Sequence, residues 1–245
     1  MILVFGGTTE GKLVADILDE LAVQYFYSTK TKVDFTGKGI PIFGAMTPVV
    51  LTAFCNKHTI THIINASHPF AVQLHQMITA VSPEIPLIRF QREFLPRISH
   101  QLVSYVNSVE EALENFHKNR YQSLLALSGV QTIIKLQSFW KKHPSWFRIL
   151  DRDSSRTIAA TANFPTTHLL FGYPQSVDKE RILFAKIGPE VIFTKESGVN
   201  GKLDEKIQAA LAVHIPIVIL KKPEISNRYL CITTKDELID IIKRK

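Results

Sequence analysis

Short apolar runs alternate with amphipathic stretches along almost the whole chain, and few folds accommodate that alternation. The apolar runs are Ile2–Phe5, Gln24–Ser28, His62–Asn65, Pro86–Phe90, Leu102–Val106, Ser123–Leu127, Trp146–Leu150, His168–Phe171, Val191–Phe193, Ile215–Leu220 and Tyr229–Ile232. Short runs of this kind, bounded by turn-forming residues, read as strands. Between them, Glu10–Leu21, Pro69–Val81, Val109–His117, Asp204–Ala212 and Lys235–Ile242 carry apolar residues at helical spacing. Strands that alternate with helices build parallel sheets covered by helices on both faces. The expected class is α/β, with two Rossmann-like, open, mostly parallel sheets flanked by helices. The division falls in REFLPRISHQ, residues 92–101, where charges and a proline interrupt the pattern. An N-terminal domain of residues 1–97 and a C-terminal domain of residues 98–245 follow, with the active-site cleft between them; one unbroken sheet is the alternative. Ligands of open α/β sheets bind at the carboxyl ends of the strands, so the strand ends are where chemistry is expected.

Composition removes several other classes. The first apolar run is too short for a secretory leader and has no basic segment before it. No stretch reaches the ~18 consecutive apolar residues of a membrane helix, so no membrane partner is expected. The two cysteines, Cys55 and Cys231, are far apart and in no CxxC pair. They read as free thiols in a reducing compartment, which points to the cytoplasm and to no bound metal. A net charge of +7 draws anions. The basic residues are scattered, with no basic helix interleaved with aromatics, so a small acidic ligand is expected in place of nucleic acid. A monomer and a homodimer fit equally.

The first strand runs into GGTTEG, residues 6–11. Gly6 and Gly7 allow backbone angles and a close approach that a Cβ would block. Thr8 or Thr9 is placed to cap the following helix, whose N-terminal N–H groups and dipole attract a phosphate. The spacing differs from G-x-G-x-x-G because Thr8 stands at the second glycine. The second strand ends in Ser28-Thr29-Lys30-Thr31-Lys32, with no acid before Asp34. A carboxylate there would bond a ribose 2′-hydroxyl, whereas hydroxyls and a lysine suit a 2′-phosphate. That favours NADPH over NADH, although NADH remains an alternative.

IINASHPFA, residues 63–71, ends another strand in Asn65-Ala66-Ser67-His68, with Pro69 expected at the first helical position. Ser67 or Asn65 is the expected cap, and His68 would donate to a phosphate, an amide or a carboxylate. LIRFQRE then sets Arg89 and Arg92 three residues apart at a strand end, where a planar fork suits carboxylate or phosphate. In the second half, LLALSGV ends at Ser128-Gly129 in the manner of the first turn. VIFTKESG carries Lys195, Ser197 and Gly198 into a glycine-containing loop, an arrangement suited to an anion. It lacks the GK[ST] ending of a P-loop.

These motifs, in this order, resemble the precorrin-6A reductase family, cobalt-precorrin forms included. Gly6, Gly7, Thr8 and Glu10 match its opening GGTxE, and Ser28 and Thr31 fit its Ser-x-x-Thr. Asn65-Ala66-Ser67-His68-Pro69-Phe70-Ala71 resembles its D-A-T-H-P-F-A. Arg89 and Arg92 match its R-x-x-R, though Glu93, Phe94 and Leu95 replace the Pro and Trp that follow. Thr194-Lys195-Glu196-Ser197-Gly198 match T-K-x-S-G, after which Val199-Asn200 interrupt the glycines before Gly201. Ile215–Pro223 is similar to the family's last basic strand end.

The resemblance implies hydride transfer from NAD(P)H to a ring double bond of precorrin-6A in cobalamin biosynthesis, giving precorrin-6B. It places the cofactor in the N-terminal domain on Gly6, Gly7, Thr8, Thr9, Glu10, Ser28, Thr29, Lys30 and Ser67. A polycarboxylate tetrapyrrole is expected on Arg89, Arg92, Ser128, Ser197 and Gly198, with His68 and Lys195 at the reacting centre. Asn65 in place of Asp means that no step should need an acid at that position. Two other readings stand beside this one. A different NADP-dependent reductase is the first, although none of the six tyrosines has a lysine four residues on. A non-catalytic dinucleotide sensor is the second.

Overall fold

The first strand, β1 (Ile2–Phe5), is buried at all four positions. Ile2 and Val4 join one apolar cluster and Leu3 and Phe5 join another, as a central strand covered on both faces requires. The computed structural model describes residues 1–81, 84–198 and 201–244. After β1 come α1 (Thr9–Glu20), β2 (Tyr25–Thr29), β3 (Ile40–Phe43), α2 (Pro48–Lys57), β4 (His62–Asn65), α3 (Val72–Ala80) and β5 (Leu87–Phe90). The chain continues with β6 (Val103–Val106), α4 (Val109–Lys118), β7 (Leu124–Ala126), α5 (Gln131–Lys135), α6 (Gln137–Trp140), β8 (Ser145–Ile149), α7 (Asp153–Thr161) and β9 (Leu169–Phe171). It ends with α8 (Val177–Ile187), β10 (Val191–Lys195), α9 (Leu203–Ala212), β11 (Ile217–Leu220), β12 (Tyr229–Ile232) and α10 (Lys235–Lys243).

Two six-stranded sheets result, one in the order β12-β5-β4-β1-β2-β3 and the other β6-β11-β10-β7-β8-β9. Every pairing is parallel. Each strand read from the sequence is present, with ends moved by no more than two residues. β3 is the additional one. It is an edge strand with Ile40 and Phe43 exposed and Pro41 inside it, so neither burial nor alternation marks it in the sequence. No described helix is long and apolar enough to cross a membrane.

The domain boundary differs from the expected one. One unit comprises Met1–Glu93 with Pro223–Lys245, and the other is Phe94–Lys222. β12 pairs with β5, Tyr229 opposite Leu87 and Ile232 opposite Phe90, and so covers an edge that would otherwise be open. α10 then adds Leu238 and Ile242 to the cluster built on Ile2, Val4 and the buried face of α1. Residues 94–97 belong to the second unit because the Arg97 guanidinium forks onto Glu196 at 2.8 and 3.1 Å and the Lys222 ammonium lies 3.8 Å from the Phe94 ring centre.

Candidate active site

Each sheet has a point where strand order reverses, and there two neighbouring strands send their connections to opposite sides and leave a crevice at their carboxyl ends. In the first sheet that point lies between β1 and β4, and in the second between β7 and β10.

At the first, Thr8 ties the two turns together. Its Oγ1 accepts the Gly11 N–H at 3.0 Å, capping α1, and donates to the Ala66 carbonyl at 2.6 Å. The Thr8 hydroxyl is therefore committed inside the protein. Gly6 is likewise engaged within the protein. Its N–H donates to the Ser28 carbonyl at 3.0 Å, and a Cβ at Gly6 would overlap the Tyr27 ring. Tyr27, rather than a ligand, requires that glycine. Gly7 has φ +84 and its N–H donates to the Tyr27 hydroxyl at 3.0 Å. In front of it only the Thr29 side chain, at 3.6 Å, approaches where a Cβ would stand. Gly7 and Thr9 are exposed, which leaves the start of α1 open to solvent. At the end of β2, Ser28 and Thr29 are buried, Thr29 Oγ1 donates to the Thr31 carbonyl at 2.7 Å, and Lys30 is exposed.

Asn65 organises the second turn of this crevice. Its Oδ1 accepts from the Ser67 N–H at 3.2 Å, the Ser67 hydroxyl at 2.6 Å and Arg89 Nη1 at 3.0 Å, while its Nδ2 donates to the Tyr229 hydroxyl at 3.1 Å. Ser67 is buried and spends its hydroxyl here, against the expectation that it meets the cofactor. Arg89, 2% exposed, also donates to the carbonyls of Asn65 at 3.0 Å and Ser67 at 2.8 Å. It holds the turn and does not present its fork to a substrate. Burial lowers its pKa to about 10. Arg92, expected on the substrate, pairs with Glu10, expected on the cofactor, at 2.7 Å. Glu10 is also the carboxylate that acts on Arg89. Two guanidinium groups and one carboxylate thus leave this strand edge net positive.

His68-Pro69-Phe70-Ala71 is a turn closed by the Ala71 N–H on the His68 carbonyl at 2.9 Å, with proline at its second position. α3 consequently starts at Val72, later than expected, and has no side-chain cap. His68 is exposed and its Nδ1 accepts the Phe70 N–H at 3.2 Å, so in the neutral ring Nε2 carries the proton. Behind the turn, His75 is buried, hydrogen-bonded to the His68 backbone and 3.3 Å from Ser67 Oγ. Burial and then the Arg89 charge lower its pKa to about 4, so it is neutral near pH 7.

At the second crevice, the Leu127 N–H donates to the Phe193 carbonyl at 2.7 Å, which brings Ser128 beside the end of β10. Ser128 is buried with its Oγ 2.6 Å from Thr132 Oγ1, and Gly129 follows at φ +83. Lys195 closes β10, partly buried, with its pKa lowered to about 8 by burial and then by Lys135. For Glu196, burial would raise the carboxyl, but Arg97 and the Lys222 N–H outweigh it and hold it below the usual range. Ser197 lies against Gly201, where a Cβ would overlap its Oγ, and Gly198 takes φ +68. Val199 and Asn200 lie outside the described residues. Among the described residues no three His, Cys, Asp or Glu side chains gather as a metal site would need.

With these strand ends in view, a model of the family described as Precorrin-6x reductase CbiJ/CobK matches residues 1–243. The chain belongs to the precorrin-6x reductase family. Among similar proteins, the cobalt-precorrin-6A reductase of Priestia megaterium is 25% identical over 238 residues, covering 92% of this chain and 91% of that one. The cobalt-precorrin-6A reductase of Methanocaldococcus jannaschii is 24% identical over 250 residues, covering 98% and 97%. A solved structure titled CobK precorrin-6A reductase shares the fold, with a TM-score of 0.76 and 18% identity over 98% of this chain and 95% of that one. The match runs through the turns after β1 and β4 and the end of β10. Tyr27, His75, Tyr229 and Lys135 are the side chains that sequence reasoning passed over. Tyr229 comes from β12, 164 residues beyond Asn65, and no local signal marks it.

Proposed function

We propose that the chain reduces a ring double bond of precorrin-6A, or of its cobalt form, with NADPH bound at the β1/β4 crevice and the tetrapyrrole at the β7/β10 crevice. The observation that carries this reading is the family match, which runs through both crevices with one chemistry-bearing turn on each strand beside them. The residues of the first crevice fit a phosphorylated cofactor. Gly7 is exposed, Thr8 and Thr9 open α1, and Arg92 neutralises Glu10, the one acid in that first helical turn. Ser28, Thr29 and Lys30 stand at the end of β2 with no carboxylate among them, as a 2′-phosphate requires.

When bound, the nicotinamide supplies the hydride, and the neighbouring ring carbon takes a proton. The chain's own part is to hold and orient. Arg89, Asn65 and His75 keep the turn that carries His68 rigid. His68 offers Nε2–H to the carboxamide, a phosphate or a substrate carboxylate. Lys195 faces an anionic substrate with a proton it can give up near neutral pH.

Lys30→Glu and His68→Ala test the cofactor half. Lys30 is exposed, so its replacement leaves the fold intact. NADPH affinity, read by fluorescence titration, should fall roughly tenfold with NADH affinity unchanged, the scale of one charge-assisted bond. His68→Ala should lower kcat. Equal losses for both cofactors in Lys30→Glu would remove the 2′-phosphate from β2.

A further inference from the structure

We propose that the second unit holds a binding site for a nucleoside phosphate at the amino ends of β7 and β8, the opposite end of the sheet from the β7/β10 crevice. The inference goes beyond the reductase reading and does not depend on it.

A cavity of about 600 Å³ opens there, inside the range of roughly 300–1,000 Å³ usual for small-molecule sites. α4 lends it Leu113 and His117, four residues apart and so on one helix face. α4 stops at Lys118, and Arg120, at φ +57, turns the chain into Tyr121 and β7. Phe139, Lys142 and His143 come from α6 and the turn before β8. Burial sorts these side chains. Phe139 is buried, Leu113, Tyr121 and His143 are half-buried, and His117, Arg120 and Lys142 are exposed. The Phe139 and His143 rings lie 4.6 Å apart. The inner lining is therefore largely aromatic and the outer lining cationic. β7 separates the cavity from the crevice, since Tyr121 precedes that strand and Ser128 follows it.

Basic side chains at a helix C-terminus often serve the helix, by meeting its last carbonyls. Here those carbonyls have other donors. The N–H groups of Asn119, Arg120 and Tyr121 bond the carbonyls of Asn115, His117 and Phe116 at 3.1, 3.0 and 3.1 Å. Gln122 Nε2 bonds the Arg120 carbonyl at 3.0 Å. The Lys142 and His143 N–H groups share the Phe139 carbonyl at 2.9 and 3.0 Å. Nor do acids absorb the charge. None lines the cavity, and among the described residues no carboxylate pairs with His117, Arg120, Lys142 or His143. Glu190 comes near but accepts the Gln122 N–H at 2.7 Å. Two helix ends present at most about half a negative charge each, which the Arg120 and Lys142 charges together exceed. A guanidinium fork with an ammonium suits a phosphate, and the imidazoles add further N–H donors. The Tyr121 and Phe139 lining gives a base something to stack on, which free phosphate could not use.

The test uses the full chain with 13C in its histidine rings, adenosine monophosphate as the probe, and the His117 and His143 signals assigned through His117→Gln and His143→Gln. Because the reporters line the cavity, nucleotide bound in a crevice elsewhere is not mistaken for binding here. In the wild type, adenosine monophosphate should shift both signals along one saturating curve. Arg120 and Lys142 are exposed, so Arg120→Gln and Lys142→Gln should fold normally, and each should weaken the probe roughly tenfold, the scale of one charge-assisted bond. Lys142→Arg should keep most of the affinity. Inorganic phosphate should shift the same signals with weaker affinity, and adenosine should leave them in place. Signals that do not move, that move without saturating, or that saturate equally in wild type and both glutamine variants would overturn the site. Inorganic phosphate that binds as tightly as adenosine monophosphate would overturn the nucleoside part of the assignment.

Discussion

Glu180→Gln should destabilise the second unit by about 3–5 kcal/mol, the usual cost of removing one partner from a buried ion pair. Glu180 is fully buried on α8 and receives both ends of the Arg148 fork at 2.8 Å, together with the Gln175 N–H at 3.0 Å. Lys206 is close enough to feel both members of the pair. The substitution keeps the shape of the side chain but leaves the buried Arg148 without its carboxylate and removes one of the carboxylates that offset the burial of Lys206. Its effect reaches the functional crevice, because Lys206 donates to Thr194 Oγ1 at 3.4 Å, one residue before Lys195. Urea denaturation followed by circular dichroism measures the loss. A change below about 1 kcal/mol would mean that water reaches the cluster and screens it.

Lys206→Met should act in the opposite direction and stabilise the chain by roughly 3 kcal/mol at pH 7. The Lys206 pKa is lowered from 10.5 to about 8, by burial first and then by Arg148. Below pH 8 the lysine is charged in both folded and unfolded states, and the folded state carries the whole cost of burying it. Between pH 8 and 10.5 the folded side chain is neutral while the unfolded one keeps its proton. The unfolded state then binds more protons, so stability rises with pH across that window. The difference between wild type and Lys206→Met should be largest at pH 7 and shrink toward pH 10.5. A difference that stays constant over that range would show that burial does not shift this lysine. In the Lys206→Met background Glu180→Gln should cost less, because the Lys206 charge that Glu180 helps to offset is gone.

The strands were readable because buried parallel strands leave uninterrupted apolar runs, as Ile2–Phe5 and Ile217–Leu220 do. β3 left no such run, being an exposed edge with a proline in it. The return of Tyr229–Ile232 to the first sheet was hidden for a different reason. Which open edge a strand joins depends on tertiary geometry, and the chain order suggested the nearer sheet. The functional turns were readable from glycines and hydroxyl residues at strand ends, since those residue types solve a backbone problem that is local. Side-chain direction is not local. Thr8, Ser67 and Arg89 look like ligand contacts in the sequence, yet they face inward and build the turns. Gly7, Thr9, Lys30 and His68 are the exposed members. His75 came into view only when α3 packed it beside Ser67.

The central claim is that this chain is a reductase of the precorrin-6A ring system that draws its hydride from NADPH. The most direct test incubates the purified chain with precorrin-6A, and in parallel with its cobalt form, while following the absorbance of NADPH and the mass of the tetrapyrrole. The account predicts loss of one NADPH for each tetrapyrrole that gains two hydrogens, no oxidation when the tetrapyrrole is omitted, and slower turnover with NADH. Retention of both NADPH and the unreduced tetrapyrrole, with a folded protein and either form of the substrate present, would contradict it.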